Sequence, residues 1–106
     1  MWGLDVRLDT AGGYRWQLWS ADGRKSAMSP HGFRARFNAH RAADLFRDMA
    51  RELEYRTESV GPGQYRWQAV DADGDVIAVS ALTYATIEDA DEAAELVRKR
   101  AVMALL

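Results

Sequence analysis

The residues best suited to catalysis or metal binding are few and unfavourably spaced. The two histidines, His31 and His40, lie in a segment that reads as a loop leading into a helix. A metal site needs further ligands at a compatible spacing, and the sequence offers none there. Ser29 and Ser80 each end a predicted strand without a nearby base, so we expect them to form hydrogen bonds at the strand ends. No phosphate-binding glycine loop, GxSxG or HExxH motif is present. The sequence therefore predicts no catalytic residue, no metal site and no cofactor, and a protein that is not an enzyme.

A second group of residues suits contact with polyanions. Arg34, Arg36 and Arg41 stand among histidines and phenylalanines in the segment HGFRARFNAHR. Guanidinium groups interleaved with aromatic rings can grip phosphates and stack on bases. Residues 1–53 carry a net charge of +3 and residues 54–106 one of −5, so the chain as a whole is slightly acidic. Weak nucleic-acid or polyanion binding is therefore the alternative hypothesis, and a solvated loop that attracts acidic neighbours is the simpler one.

A third group lies on alternate positions of two aromatic segments. If Tyr14, Trp16 and Leu18 face a core, the intervening residues must face the other way. This predicts a possible interaction surface made of Arg15, Gln17, Trp19, Arg66 and Gln68. Trp19 is expected to be a large exposed aromatic side chain and so an interface anchor. The alternative is a solvated face with weak cross-strand charge pairs.

The two aromatic segments belong to a longer repetition. YRWQLWSADG (Tyr14–Gly23) and YRWQAVDADG (Tyr65–Gly74) are separated by 51 residues, and the same offset persists from Gly12 and Gly63 to Ala50 and Ala101. Upstream, LDVRLDT matches LEYRTES at an offset of 49. This predicts that the turn which follows is two residues longer in the second copy, because insertions are tolerated in turns.

Each copy reads as three strands and a helix. Alternating apolar and polar residues predict a first strand at Leu4–Leu8, and the Asp-Gly pairs predict hairpin turns. A third strand is clearest as VIAVS and weaker as KSAMS. Asn38 is the predicted N-cap of the first helix, and Asp89 with Glu92 reads as a capping box for the second.

Neither half is large enough to cover its own sheet. One unit has three strands and a single helix and is too small to bury a stable core alone. We therefore predict an α+β fold in which two tandem β-β-β-α repeats form one antiparallel sheet with two helices packed on one face. Residues 1–106 would be a single domain, with repeat 1 at about 1–52 and repeat 2 at about 53–106.

These motifs resemble a known family. GGYRWQLWSADGRKSAMSPHGF and GQYRWQAVDADGDVIAVSALTY are similar to the repeats of the YegP-like small tandem-repeat family, a domain of unknown function. The resemblance rests on the aromatic-Arg-aromatic strand, the Asx-Gly turn, the Ala-x-Ser strand end and the aromatic residue after it, here Phe33 and Tyr84. It implies β₃-α units that form one sheet and carries no activity, cofactor or catalytic residue.

Composition narrows the cellular setting. The chain has no cysteine, no basic and apolar leader at its start, and no apolar run approaching the roughly 20 residues that span a bilayer. We expect a cytoplasmic protein that does not contact membranes. Its expected role is a noncatalytic structural or protein-interaction module, with a protein partner or self-association as a homodimer through sheet edges or Trp19.

Overall fold

The computed structural model describes residues 1–106, which form six strands and two α-helices. The elements in chain order are β1 (Gly3–Leu8), β2 (Tyr14–Trp19), β3 (Lys25–Met28), α1 (Arg36–Met49), β4 (Glu54–Gly61), β5 (Gln64–Val70), β6 (Val76–Ser80) and α2 (Ile87–Arg100), followed by a 3-10 turn at Ala101–Met103. Neither helix has the length and apolar character needed to cross a membrane.

All six strands form one antiparallel sheet in the order β1-β2-β3-β6-β5-β4. The two meanders meet at its centre, where β3 pairs with β6 through Ala27 opposite Ser80 and Met28 opposite Val79. The predicted α+β class, with one antiparallel sheet and two helices, is confirmed.

One face of the sheet carries the core. Directly opposed residues of an antiparallel pair share a face, and the ladders place Leu4 beside Leu18, Leu18 beside Ala27, and Ala69 beside Ala78. These residues join Ala43 and Phe46 of α1 and Val97 of α2 in a single buried cluster. Both helices therefore pack on the same face.

Two fully buried tryptophans fill the middle of this core. The Trp16 ring stacks on Phe46 with centroids 4.7 Å apart, and Trp67 lies 5.5 Å from the ring of Tyr55. Both indoles are 0% exposed, and neither Nε1 group has a hydrogen-bond partner. The aromatic strands thus supply the largest side chains of the core, as the alternation predicts.

The connections of the two outer hairpins, β1–β2 and β4–β5, span the same number of residues between equivalent pairs. The prediction that the turn is two residues longer in the second copy is therefore wrong. Leu4 pairs with Leu18 in the first hairpin, and Tyr55 pairs with Ala69 in the second. Both members of the second pair lie 51 residues beyond those of the first. The leucine that suggested the slip, Leu53, precedes β4 and is buried under the helices.

The N-cap of each helix lies three residues before the predicted one. The N-cap of α1 is Ala35, which makes no side-chain capping bond, so Asn38 is not the cap. The N-cap of α2 is Thr86, whose Oγ1 accepts a hydrogen bond from the Asp89 amide at 3.1 Å. Asp89 therefore lies in the first turn, where its charge favours the helix dipole without capping it.

The Asp-Gly turns are confirmed. Gly23 and Gly74 have φ values of 86° and 87°, in the left-handed region that glycine adopts without strain. Asp71 Oδ1 accepts hydrogen bonds from the amides of Asp73 and Asp75, which fixes the second turn.

Candidate interaction surfaces

The sheet face away from the helices is polar at its sides and apolar at its centre. One row of opposed residues crosses all six strands on this face: Asp5, Gln17, Met28, Val79, Gln68 and Arg56. Val79 is only 7% exposed because its neighbours cover it. The predicted outward direction of Arg15, Gln17, Arg66 and Gln68 agrees with these ladders.

Trp19 lies on the open face but is not a freely exposed ring, which corrects the prediction. It is only part-exposed, and its indole Nε1 donates a hydrogen bond to Asp5 Oδ2 at 3.1 Å. The Arg7 guanidinium carbon lies 5.1 Å from the ring centroid, and Arg7 also pairs with Asp5 at 3.1 Å. A salt-bridged pair on the neighbouring strand therefore covers the ring, and strand alternation alone could not reveal this.

The remaining open-face residues form two separate polar clusters. In the first hairpin, Arg15 lies 3.3 Å from Asp9 and donates to the Ser29 carbonyl. In the second, Glu58 accepts hydrogen bonds from Arg66 at 2.6 Å and from Gln68 at 3.2 Å. The predicted site residues thus pair with other residues of their own half, Gln17 Oε1 is buried without a partner, and the five do not converge on a common point.

Part of the arginine-rich segment packs against the sheet. Arg36 donates to the Val6 carbonyl at 3.2 Å and lies 5.1 Å from the Tyr14 ring. Arg41 lies over Phe37 at 5.8 Å, and Arg34 is exposed. Of the three predicted polyanion contacts, only Arg34 and Arg41 remain directed at solvent without a backbone partner.

The serines at the strand ends are buried and hydrogen-bonded, as expected. Ser29 Oγ donates to the His31 carbonyl at 2.9 Å, and Ser80 Oγ accepts from the Trp67 amide at 3.3 Å. Each buried hydroxyl group thus has a hydrogen-bond partner. These bonds explain why serine suits the ends of β3 and β6.

The edge of the sheet formed by β1 is covered. Its outward Leu4 amide donates to the Leu105 carbonyl at 2.7 Å, and the Leu105 amide donates to the Trp2 carbonyl at 3.1 Å. Further along the same edge, the outward carbonyl of Val6 accepts from Arg36. Another strand could therefore not pair along β1 without displacing these contacts at Leu4 and Val6.

The edge formed by β4 is open. Tyr65 exchanges both of its backbone hydrogen bonds with Tyr84, on the β6 side of β5. By alternation, Arg66 and Gln68 face β4 and bond Glu58 and Arg56.

The other residues of β4 must then direct their N–H and C=O groups away from the sheet. These residues are Tyr55, Thr57 and Ser59, and no hydrogen bond from elsewhere in the chain reaches their outward groups. At the position equivalent to Arg36, 51 residues further on, the chain has Ile87, whose side chain cannot donate a hydrogen bond to the β4 backbone. The eight-residue β4 is therefore an unprotected edge strand.

Side chains beside this edge are anchored to α2 and the preceding turn. The Thr57 hydroxyl donates to Asp91, and the Tyr55 hydroxyl donates to the Ala50 carbonyl at 2.8 Å. Burial raises the pKa of Tyr55. These two hydrogen bonds thus tie the edge strand to α2 and to the turn after α1.

A groove of about 590 Å³ lies between α2 and the β2–β3 turn. Trp2, Leu82, Tyr84 and Leu96 form much of its apolar lining, and Arg24 and Arg100 also line it. Burial raises the pKa of Tyr84, and the charge of Arg24 opposes the shift. The groove was not predicted, because its walls come from both halves of the chain.

An acidic cluster occupies the β5–β6 turn. Carboxylate oxygens of Asp71, Asp73 and Asp75 lie within 4.8 Å of one another. The hydrogen bonds of Asp71 to the turn amides explain its position without a ligand. The cluster is a turn motif with two exposed carboxylates.

Comparison with known proteins identifies structures that share this fold. Residues 62–105 match the model of a domain of unknown function, DUF1508. The solution NMR structure of YegP from E. coli, a protein of unknown function, aligns with a TM-score of 0.80 at 15% identity over 98% of this chain and 89% of YegP. The UPF0339 protein of Shewanella oneidensis aligns with a TM-score of 0.80 at 12% identity over 98% of this chain and 88% of its own. No curated protein sequence matches the chain. At these identities the structural likeness shows a shared fold, and the resemblance predicted from the repeated motif is confirmed.

Proposed function

We propose that this YegP-like chain is a noncatalytic protein-interaction module that binds an extended partner strand at the β4 edge. The single observation that carries the proposal is the difference between the two sheet edges. The β1 edge is bonded at the Leu4 amide by Leu105 and at the Val6 carbonyl by Arg36, whereas no outward backbone group of β4 has a partner within the chain. Strand addition to an open edge is a common mode of protein recognition, in which backbone hydrogen bonds supply affinity.

The absence of an assigned chemistry is consistent with this role. The matching domain model and both structural neighbours are of unknown function, and none indicates a catalytic family. On the open face, Trp19 pairs with Asp5 in the first hairpin and Arg66 pairs with Glu58 in the second. In this proposal Arg66 and Gln68 lie on β5, next to the bound edge, whereas Arg15, Gln17 and Trp19 lie four strands away on β2 and form a separate interaction surface. The protein is proposed to work in the cytoplasm.

The proposal includes the origin of the architecture. Two β-β-β-α repeats, at about 1–52 and 53–106, form one domain in which each repeat contributes one outer edge. The constant offset of 51 residues in the sequence and in both outer hairpins supports this interpretation. The two repeats then differ in function, because only the second has an outer edge free to bind.

Photo-crosslinking in the cell of origin tests the edge. A photoreactive residue at Ser59, on the open edge, should give a covalent adduct with a protein. The same residue at Arg7, an exposed position on the covered β1 strand, serves as the matched control and should give none. Absence of any adduct at Ser59, or equal adducts at both positions, would reject the interaction module.

Weak polyanion binding is a second candidate, favoured by the first turn of α1. This turn has no acidic residue and no side-chain cap, and the exposed Arg34 and Arg41 lie close to it in sequence. Titration with labelled RNA at low salt should show binding that falls steeply as salt rises. Arg34→Ala with Arg41→Ala should abolish it, while Arg51→Ala, at an exposed position beyond the end of α1, should not. No association of the unmodified chain at low salt would exclude this candidate.

A further inference from the structure

We propose that the strand bound at this edge is β4 of a second copy, paired antiparallel about a two-fold axis through Thr57. This inference rests on the proposed function, because it names the partner of the same edge. It follows from three properties of β4: the direction of its backbone groups, its charge pattern and the length of strand that each register can pair.

The backbone of β4 is complementary to itself. With Thr57 on the axis, Tyr55 lies opposite Ser59 of the second copy, and Thr57 lies opposite its own equivalent. All three residues direct their N–H and C=O groups outward. Each such pair exchanges two hydrogen bonds, so the pairing forms about six. No backbone group of the existing β4–β5 ladder has to be broken.

The charges of β4 are complementary in the same register. Arg56 lies opposite Glu58 of the second copy, and the axis repeats this contact. These are non-hydrogen-bonded pairs, the positions at which side chains of antiparallel strands approach most closely. Both side chains are well exposed, at 62% and 42%, so a second strand can reach them without disturbing the core.

Neighbouring registers are poorer. An axis at Arg56 places that residue opposite its own equivalent and Glu54 opposite Glu58. An axis at Glu58 brings the two Glu58 carboxylates together. An axis at Tyr55 keeps a Glu54–Arg56 pair but extends past the start of β4, which begins at Glu54, and so pairs only a short segment. Only the axis at Thr57 combines a long overlap with opposed charges.

One feature opposes the pairing. Asp91 accepts a hydrogen bond from Thr57, so the axis brings two Asp91 carboxylates toward each other. Both are exposed and therefore screened by salt. Asp91→Asn should remove this repulsion, and we expect it to strengthen self-association.

Charge-reversal variants of the full chain test the register by sedimentation equilibrium. The unmodified chain should form dimers. Arg56→Glu and Glu58→Arg should each weaken dimerisation by about tenfold or more, because two attractive cross-strand pairs become repulsive. An equimolar mixture should dimerise again, since one variant has two acidic side chains at these positions and the other has two basic ones. The double variant, which carries both Arg56→Glu and Glu58→Arg, should also dimerise.

The control lies at the equivalent position of the covered strand. Arg7→Glu should leave the dimer constant unchanged, and circular dichroism should show that all variants are folded. A monomeric unmodified chain, or variants whose mixture fails to associate, would overturn the self-pairing. If Ser59 then still crosslinks to a different protein, the interaction module survives and only its partner changes; if it crosslinks to nothing, both proposals fail.

Discussion

Thr86 shows how a single hydroxyl fixes the start of a helix. Its Oγ1 accepts from the Asp89 amide, whereas the corresponding residue of α1, Ala35, has no such group. Thr86→Ala should therefore lower the free energy of unfolding by about 1 kcal/mol, the usual value of an N-cap. Asn38→Ala, at the position first expected to cap α1, should change it little. Urea unfolding of both variants measures the difference, and equal effects would show that Thr86 is not the functional cap.

The limits of sequence-based prediction are also clearest at single residues. Asn38 and Asp89 were expected to be caps because both types favour that position, yet each occupies the first turn of its helix. The direction of Trp19 followed from alternation, but its covering by Asp5 and Arg7 depends on the neighbouring strand. Local patterns determine which face a side chain occupies. They do not determine which side chains lie against it.

At the scale of elements, the chain end acts as an additional short strand beside β1. Leu105→Pro removes the amide that bonds Trp2 and should loosen this segment. The Leu4 amide should then exchange its hydrogen with solvent faster, because its acceptor is the Leu105 carbonyl. Hydrogen exchange followed by NMR measures this rate. Leu106→Pro is the control, because the Leu106 amide makes no such bond, and it should leave Leu4 protected. Equal protection in both variants would mean that the segment does not cover β1.

The α+β class, the single antiparallel sheet and the two helices could be predicted from the repeated sequence, but the difference between the edges could not. The strands, turns and paired aromatic residues follow from alternation and from the Asp-Gly positions. The covering of β1 requires Arg36 and Leu105, which reach it from distant parts of the chain. Contacts of this kind depend on how the helices and the chain end pack, and no local pattern of the sequence encodes them.

At the scale of the whole molecule, each half depends on the other for burial. The core cluster combines Trp16 and Phe46 of the first half with Val97 and Ala101 of the second, and the Arg47 side chain donates to the Ala104 carbonyl at 3.4 Å. A fragment of residues 1–52 should therefore be unfolded on its own. Circular dichroism and the dispersion of amide proton shifts measure this. Folding of the isolated, monomeric fragment with a cooperative transition would contradict mutual dependence.

The covered β1 edge also limits how large an assembly can become. A sheet with two open edges can grow without end, which is the route to filaments and amyloid. Here, joining two copies through β4 would use up the only free edge of each and leave a protected strand on either flank. Growth would stop after a single step, so high concentration would saturate a closed pair and not seed fibrils.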